Sequence, residues 1–182
     1  MNDNTEKISR VMRGITKKKT HTLSSIAHVY HAVQMKLRPW TPLLLRLMIG
    51  YGFIAHGYAK WSRGPEQFIS ILNAIGIPLP HLMGWATIIV QVFGGLSVLV
   101  GACVMFWCIP MMAILIVAAV TVHWPYGFSS IKLQSFIDGR AQFGQPGYEA
   151  DLLYLVCLVA LMAGGAGPYA VDNWLARKME RA

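Results

Sequence analysis

His56 and Lys60 stand four residues apart, a spacing that puts an imidazole and an ammonium on one helix face. Farther along the chain, His123 precedes Trp124, and Glu149 and Asp151 follow Tyr148. Imidazole and carboxylate exchange protons near neutral pH, a lysine ammonium holds anions, and aromatic rings offer flat apolar walls. Brought to one place, these groups suit a pocket for an anion or a quinone with its own proton-transfer group. Quinone reduction adds two electrons and two protons, so it needs hydrogen-bond donors at the carbonyls, a proton path to water and an apolar slot. His56, His123 and Glu149 are the candidate catalytic groups, with Lys60, Trp124 and Tyr148 as binding groups. The competing reading makes each histidine an ordinary hydrogen-bonded interfacial residue, and the aromatics Tyr58, Trp61, Trp124, Tyr126, Tyr148 and Tyr154 a membrane-interface belt.

A second feature is Arg46, a cation inside an apolar stretch. A guanidinium at that depth either reaches back to lipid headgroups or faces inward to meet polar groups such as Gln91 or Asp172. Facing inward, Arg46 and Gln91 would join the binding groups. The sequence holds no Gly-x-Gly-x-x-Gly fingerprint, no cysteine cluster for iron–sulfur and no haem-attachment motif. His56 and His123 could ligate a b-type haem, but nothing in their spacing is diagnostic, and no metal or haem is expected. Cys103, Cys108 and Cys157 contain no Cys-x-x-Cys pair and read as small packing residues.

These residues must be positioned by membrane-spanning elements. The chain has 182 residues, 55% hydrophobic and only 13% charged, with 16 Lys and Arg against 8 Asp and Glu. No Asp, Glu, Lys or Arg occurs between Glu66 and Lys132, a run that as helix would extend about three times the roughly 30 Å hydrocarbon core of a bilayer. That balance excludes a disordered chain, a disulfide scaffold and a free cytosolic enzyme. The expected fold class is all-α, an integral membrane four-helix bundle with spans at about 42–58, 81–101, 105–124 and 151–167. The second and third spans are divided at Gly101-Ala102-Cys103, because the fused run is too long for one crossing, and Pro110 then falls in the first turns of the third. Gly50, Gly94, Gly95, Gly164 and Gly165 are expected to let helices approach closely.

Cations set the orientation. Lys7, Arg10, Arg13, Lys17, Lys18, Lys19, Lys36 and Arg38 precede the first span, and Arg177, Lys178 and Arg181 follow the last, against Lys60, Arg63, Lys132 and Arg140 on the other side. Both termini are therefore expected in the cytoplasm. Residues 1–40 form a basic cytoplasmic or interfacial segment, expected to be retained; 41–175 form the membrane domain, and 176–182 a cytoplasmic tail. Leu23, Ile26, Ala27, Tyr30, Val33, Gln34 and Leu37 recur at helical spacing, so residues 22–37 either lie in the interface plane or serve as a basic tether. Lipid attraction explains this charge, and no nucleic-acid partner is expected.

Several segments carry a family resemblance. Leu45-Arg46-Leu47-Met48-Ile49-Gly50 continuing to Phe53-Ile54-Ala55-His56-Gly57-Tyr58-Ala59-Lys60, then Gly94-Gly95, then Val122-His123, then Gly147-Tyr148-Glu149 and the closing Gly165 to Asp172 resemble the DoxX family over about residues 42–175. The resemblance implies a four-helix bacterial inner-membrane protein, related to the quinone-linked membrane subunit of thiosulfate:quinone oxidoreductase. It points to Arg46, His56, Gly57, Lys60, His123, Glu149 and Asp172 as the matched positions, with Gly57, Gly94, Gly95 and Asp172 in structural roles. Gln91 departs from it, since the family commonly has Glu before the Gly-Gly pair, and an amide is no proton donor or full counter-charge.

Three functions compete. The first is an oxidoreductase subunit passing electrons from a small reduced sulfur compound such as thiosulfate to a quinone, with Glu149 relaying protons. The second is a scaffold that recruits a redox partner, and the third a transport component lined by Arg46, requiring an oligomer or a narrow core. The expected surroundings are the lipid bilayer, a soluble or membrane redox partner, and other copies of the chain.

Overall fold

The computed structural model describes residues 26–180, so the basic residues through Lys19, Leu23 and the final Arg181 lie outside the described residues. Two units separate at Pro39. In the first, residues 26–37 are helical (α1) and exposed throughout, with Ile26, Tyr30, Val33 and Leu37 recurring at helical spacing.

The second unit begins at Trp40, the last residue of a short 3-10 turn, Arg38–Trp40, and continues with α2, Thr41–Ser62. Helix α3, Pro65–Ala74, follows an elbow at Gly64, where φ is +97°, and starts with proline and Glu66 in its first turn. Next come the long helices α4, Pro80–Val100, and α5, Val104–Tyr126. A hairpin of β1, Leu133–Ile137, and β2, Arg140–Phe143, intervenes before α6, Glu149–Gly164, and α7, Val171–Met179.

The core joins α2, α4, α5 and α6 through Ile49, Phe53, Val98, Val104, Cys108, Met111, Leu158 and Leu161. At the α2–α4 crossing a Cβ on Gly50 would stand 2.7 Å from the Gly95 carbonyl oxygen, and one on Gly95 would stand 2.9 Å from that of Gly50. The two backbones therefore touch, as the spacing of these glycines predicts. Gly94 faces α5 instead, against Trp107 and Met111. Gly164 and Gly165 differ from expectation, since a Cβ on either meets nothing within 4 Å. Gly165 acts through its backbone: its φ of +75° ends α6 three residues before the predicted limit.

Helices α4 and α5 are long and apolar enough to cross a membrane, and most of their surface is not covered by the protein. Ile89, Phe93, Leu96, Met105, Phe106 and Ile109 point outward, and α2 and α6 likewise expose Leu44, Met48, Leu153 and Val156. A surface of that kind calls for a lipid solvent. The chain is mostly helical, as predicted; the hairpin is the departure from an all-α chain. It turns at Asp138-Gly139, both at positive φ, and pairs Phe136 with Ala141 and Ile137 with Arg140.

The division between α4 and α5 falls at the predicted place. Gly101, at φ +79°, closes α4 with bonds from its own N–H to Val98 O (3.1 Å) and from Ala102 N–H to Ser97 O (2.8 Å). Pro110 sits in the second turn of α5. Of the three free thiols, Cys108 is fully buried in the core and Cys157 packs against it, whereas Cys103 is exposed at the start of α5.

Candidate functional site

The polar residues divide between the two ends of α2. At the Arg46 end, a side chain only 2% exposed donates from Nη1 to the Ala166 carbonyl (2.8 Å) and from Nη2 to that of Tyr169 (3.2 Å). Arg46 thus holds the backbone strap that joins α6 to α7. Within reach of its charge, Asp172 accepts the Cys103 N–H (2.8 Å) and the Val104 N–H (3.2 Å), capping the positive N-terminus of α5. That cap stabilises Cys103 in its left-handed conformation, φ +49°. The Asp172 N–H returns a bond to Gly101 O (3.0 Å), and a Cβ on Gly101 would collide with Arg46 Nη1. Arg46 neither reaches out to headgroups nor bonds Gln91.

Gln91 lies two to three turns away along the bundle, its Cβ packed where a Cβ on Gly57 would be, 2.9 Å distant. It occupies a π-helical turn, Val90–Gly94, in the middle of α4. The side chain is 6% exposed, and its Oε1 has no hydrogen-bond partner. A second π-turn, Ala119–His123, widens the end of α5 and carries His123. One extra residue per turn re-aims the side chains that follow, and such turns recur at functional sites.

His123 Nδ1 and Asp151 Oδ2 are 2.5 Å apart, and Asp151 is 6% exposed. This carboxylate therefore engages the imidazole, fixes which ring nitrogen carries a proton and leaves Nε2 free. His56 stands within electrostatic range of both Asp151 and His123. Gly52, one turn earlier on α2, lies against the Tyr154 hydroxyl, and Tyr154 meets Phe53 edge-on at 5.9 Å, so α2 and α6 pack closely beneath the pair.

Glu149 bonds the loop after α5 rather than the His123 imidazole. Its Oε2 accepts the Ser130 N–H (2.9 Å), and its own N–H bonds Phe128 O (3.0 Å), which ties the start of α6 to the loop after α5. The carboxylate beside the imidazole is Asp151. The signal lay in the spacing: Asp151, Tyr154, Leu158 and Leu161 follow the inward stripe of α6, and Glu149 falls off it. Trp124 and Tyr148 stack on each other, centroids 5.2 Å apart and planes 18° apart, with Phe128 edge-on to Tyr148. The rings thus clamp the loop, and Gly147 is held against the Gly127 and Phe128 carbonyls.

On the other side of His56, a groove of about 270 Å³ opens at the α2–α3 elbow, lined by His56, Lys60, Arg63, Gln67, Phe68 and Ile71 among others. Lys60 Nζ lies 5.0 Å from the centroid of the Phe68 ring and 3.4 Å from the His56 carbonyl. No carboxylate lines this groove, and two basic side chains do. Arg63, Gln67 and Phe68 were not among the predicted site residues, because charge alone marks this stretch as a loop. The signal for α3 was Gly64-Pro65-Glu66 ahead of Phe68, Ile69 and Leu72. His56 lines this groove and also lies within electrostatic range of the His123–Asp151 pair. Among the described residues no group of three or more His, Cys, Asp or Glu could hold a metal ion.

The DoxX family model matches residues 41–124, from the first residue of α2 to Trp124. That stretch contains Arg46, His56, Lys60, Gln91 and His123, while Asp151 and Asp172 lie beyond it. An uncharacterized protein of Haemophilus influenzae is 25% identical over 146 residues, covering 79% of this chain and 96% of that protein. No solved structure matches the chain. With Arg46 and His56 toward opposite ends of α2 and Gln91 and His123 in the long helices α4 and α5, residues 41–124 are a DoxX family match.

Proposed function

We propose that the chain is a four-span inner-membrane redox subunit, with both termini cytoplasmic, that takes electrons from a small anionic reductant such as thiosulfate and passes them to a membrane quinone. The observation that carries this reading is the position of His56, which lines an open cationic groove and stands within electrostatic range of the half-buried His123 and its partner Asp151. Lys60, Arg63 and Gln67 would hold the anion, with no acidic side chain to repel it. Asp151 holds His123 through Nδ1, so that Nε2 accepts and returns protons, and His56 links that pair to water in the groove.

The residues fit a quinone head. His123 and His56 would donate to the quinone carbonyls, Gln91 Oε1, unpartnered and buried beside Gly57, would accept the O–H of the reduced ring, and the outer sides of α2 and α4 are apolar. A bound quinone would supply the acceptor for two electrons and two protons, matching two thiosulfate anions joined by one new sulfur–sulfur bond. Gln91 is neutral, so proton transfer belongs to His56, His123 and Asp151.

A second reading makes the chain a scaffold for a redox partner. The hairpin favours it: Ile131, Leu133, Phe136 and Phe143 are each at least 60% exposed at one end of the molecule. One assay separates the two. Membranes holding this chain alone are expected to reduce a short-chain ubiquinone analogue when given thiosulfate. His56→Ala and Asp151→Asn should each lower the rate by about 10²-fold or more, as loss of a general acid or base does. Glu149→Gln should leave it nearly unchanged. Wild-type membranes with no thiosulfate-dependent reduction would overturn the enzyme reading and leave the scaffold.

A further inference from the structure

Helix α7 hangs from the α4–α5 turn by its polar side. Asp172 caps α5, Asn173 Nδ2 donates to Gly167 O (2.7 Å), and Arg177 donates from Nε to Asn173 O and from Nη2 to Pro168 O, both 3.1 Å. The other side carries Val171, Trp174, Leu175 and Met179, all exposed, and α7 buries no residue against the protein. Residues at i, i+3, i+4 and i+8 form one apolar stripe. Lys178 falls within this stripe, but its Nζ lies 5.5 Å from the centroid of the Trp174 ring, so its stem covers apolar surface while the charge stays at the edge.

Three observations mark the level of this helix. It is bonded to the turn at which the apolar helices α4 and α5 end. Trp40 and Tyr169, with ring centroids 5.3 Å apart, are half exposed at the same end. Indole and phenol rings gather where a bilayer meets water. The charge then decides the partner: Arg177 and Lys178 stand in the last turn, and the helix's own carboxylate, Asp172, is held by the α5 N-terminus. Glu180 follows outside the stripe.

We propose that α7 is a membrane-interface helix for anionic phospholipid, with Val171, Trp174, Leu175 and Met179 in the acyl-chain boundary and Arg177 and Lys178 at the phosphates. The proposal rests on the reading that α4 and α5 cross the bilayer. Arg46 and Asp172 set its direction: by fixing the strap and the helix start, they leave α7 no course except along the surface.

The test uses the full chain in nanodiscs, with an environment-sensitive fluorophore on single cysteines replacing Leu175, Met179, Glu180 or, in α5, Phe106, the native cysteines being replaced by alanine. Probes at Leu175 and Met179 should emit to the blue and be quenched by lipids brominated on the acyl chain, and the probe at Glu180 should not. Anionic discs should strengthen the contrast over zwitterionic ones, and Lys178→Gln should lower the docked-to-undocked ratio in anionic discs by about five-fold. Leu175 and Met179 probes as wet as Glu180, beside a quenched Phe106, would overturn the proposal alone. A wet Phe106 would overturn the spanning reading beneath it. Probes shielded from both water and lipid would mean that protein covers this face, and would equally overturn the proposal.

Discussion

The two ends of α2 use buried polar groups in opposite ways. At the Arg46 end, the guanidinium and the Asp172 carboxylate between them bond four backbone groups, and every one of these bonds joins segments far apart in sequence. At the His56 end, one strong pair, His123 with Asp151, sits near a buried amide oxygen with no partner and an open groove lined by cations. Arg46 Nε, like Gln91 Oε1, is buried without a partner, so the difference lies in the bonds that are made: those of the Arg46 end tie distant segments together, whereas the His56 end opens on a groove. The Arg46 end is therefore a clasp and the His56 end the candidate site, even though both read alike in sequence as charges within apolar stretches.

The clasp should be the more fragile under mutation. Arg46→Met leaves the Ala166 and Tyr169 carbonyls without their charged donor, a loss of about 3–6 kcal/mol for two hydrogen bonds to a charged group. Thermal unfolding of the purified protein in detergent should show a large drop in midpoint. Thiosulfate-dependent quinone reduction per folded molecule should change little. A variant as stable as wild type would remove the distinction between the ends, since Arg46 would then hold nothing together.

How much of this was legible follows the same division. The α4–α5 break was legible, because a charge-free run too long for one crossing has to turn somewhere and Gly101 supplies the left-handed residue that turn needs. Asp172 was legible as a partner for the Arg46 region, but the guanidinium's bonds to carbonyls were not, since backbone acceptors leave no mark in a sequence. At the other end, the choice of Asp151 over Glu149 was written in the helical stripe of α6. The hairpin was written in Asp138-Gly139 between Leu133–Ile137 and Arg140–Phe143, a stretch whose charges marked it only as a loop. The π-turns at Gln91 and His123 had no local signal, because an extra residue in a turn is decided by the packing of neighbouring helices rather than by residue type.

The orphaned amide sharpens the comparison from the opposite side. Gln91→Leu keeps the volume roughly constant and removes an unpartnered buried oxygen, so the protein should gain stability, by about 1–3 kcal/mol, the cost of leaving such a group unsatisfied. The same change should weaken quinone reduction, chiefly as a raised KM for the quinone analogue. A gain in stability with a loss of function is the pattern of a group kept for a ligand. Loss of both would mean that Gln91 bonds within the protein and belongs with the clasp.

The smallest effect concerns two adjacent glycines that the sequence treats as equals. Gly164 is the last residue of α6 and Gly165 follows it at φ +75°, and a Cβ on either meets open space. Space is therefore not what distinguishes them; backbone conformation is. Gly164→Ala should stabilise by about 0.5–1 kcal/mol, because alanine restricts the unfolded chain and suits a helix end. Gly165→Ala should destabilise by about 1–2 kcal/mol, the penalty for an alanine in the left-handed half of conformational space. It should also loosen the strap that Arg46 grips from Ala166 to Tyr169, so its cost should shrink when measured in the Arg46→Met background. Detergent melting of the two single variants and that double variant decides the matter: coupling between Gly165 and Arg46 makes the strap part of the clasp, and strict additivity makes it an independent helix stop.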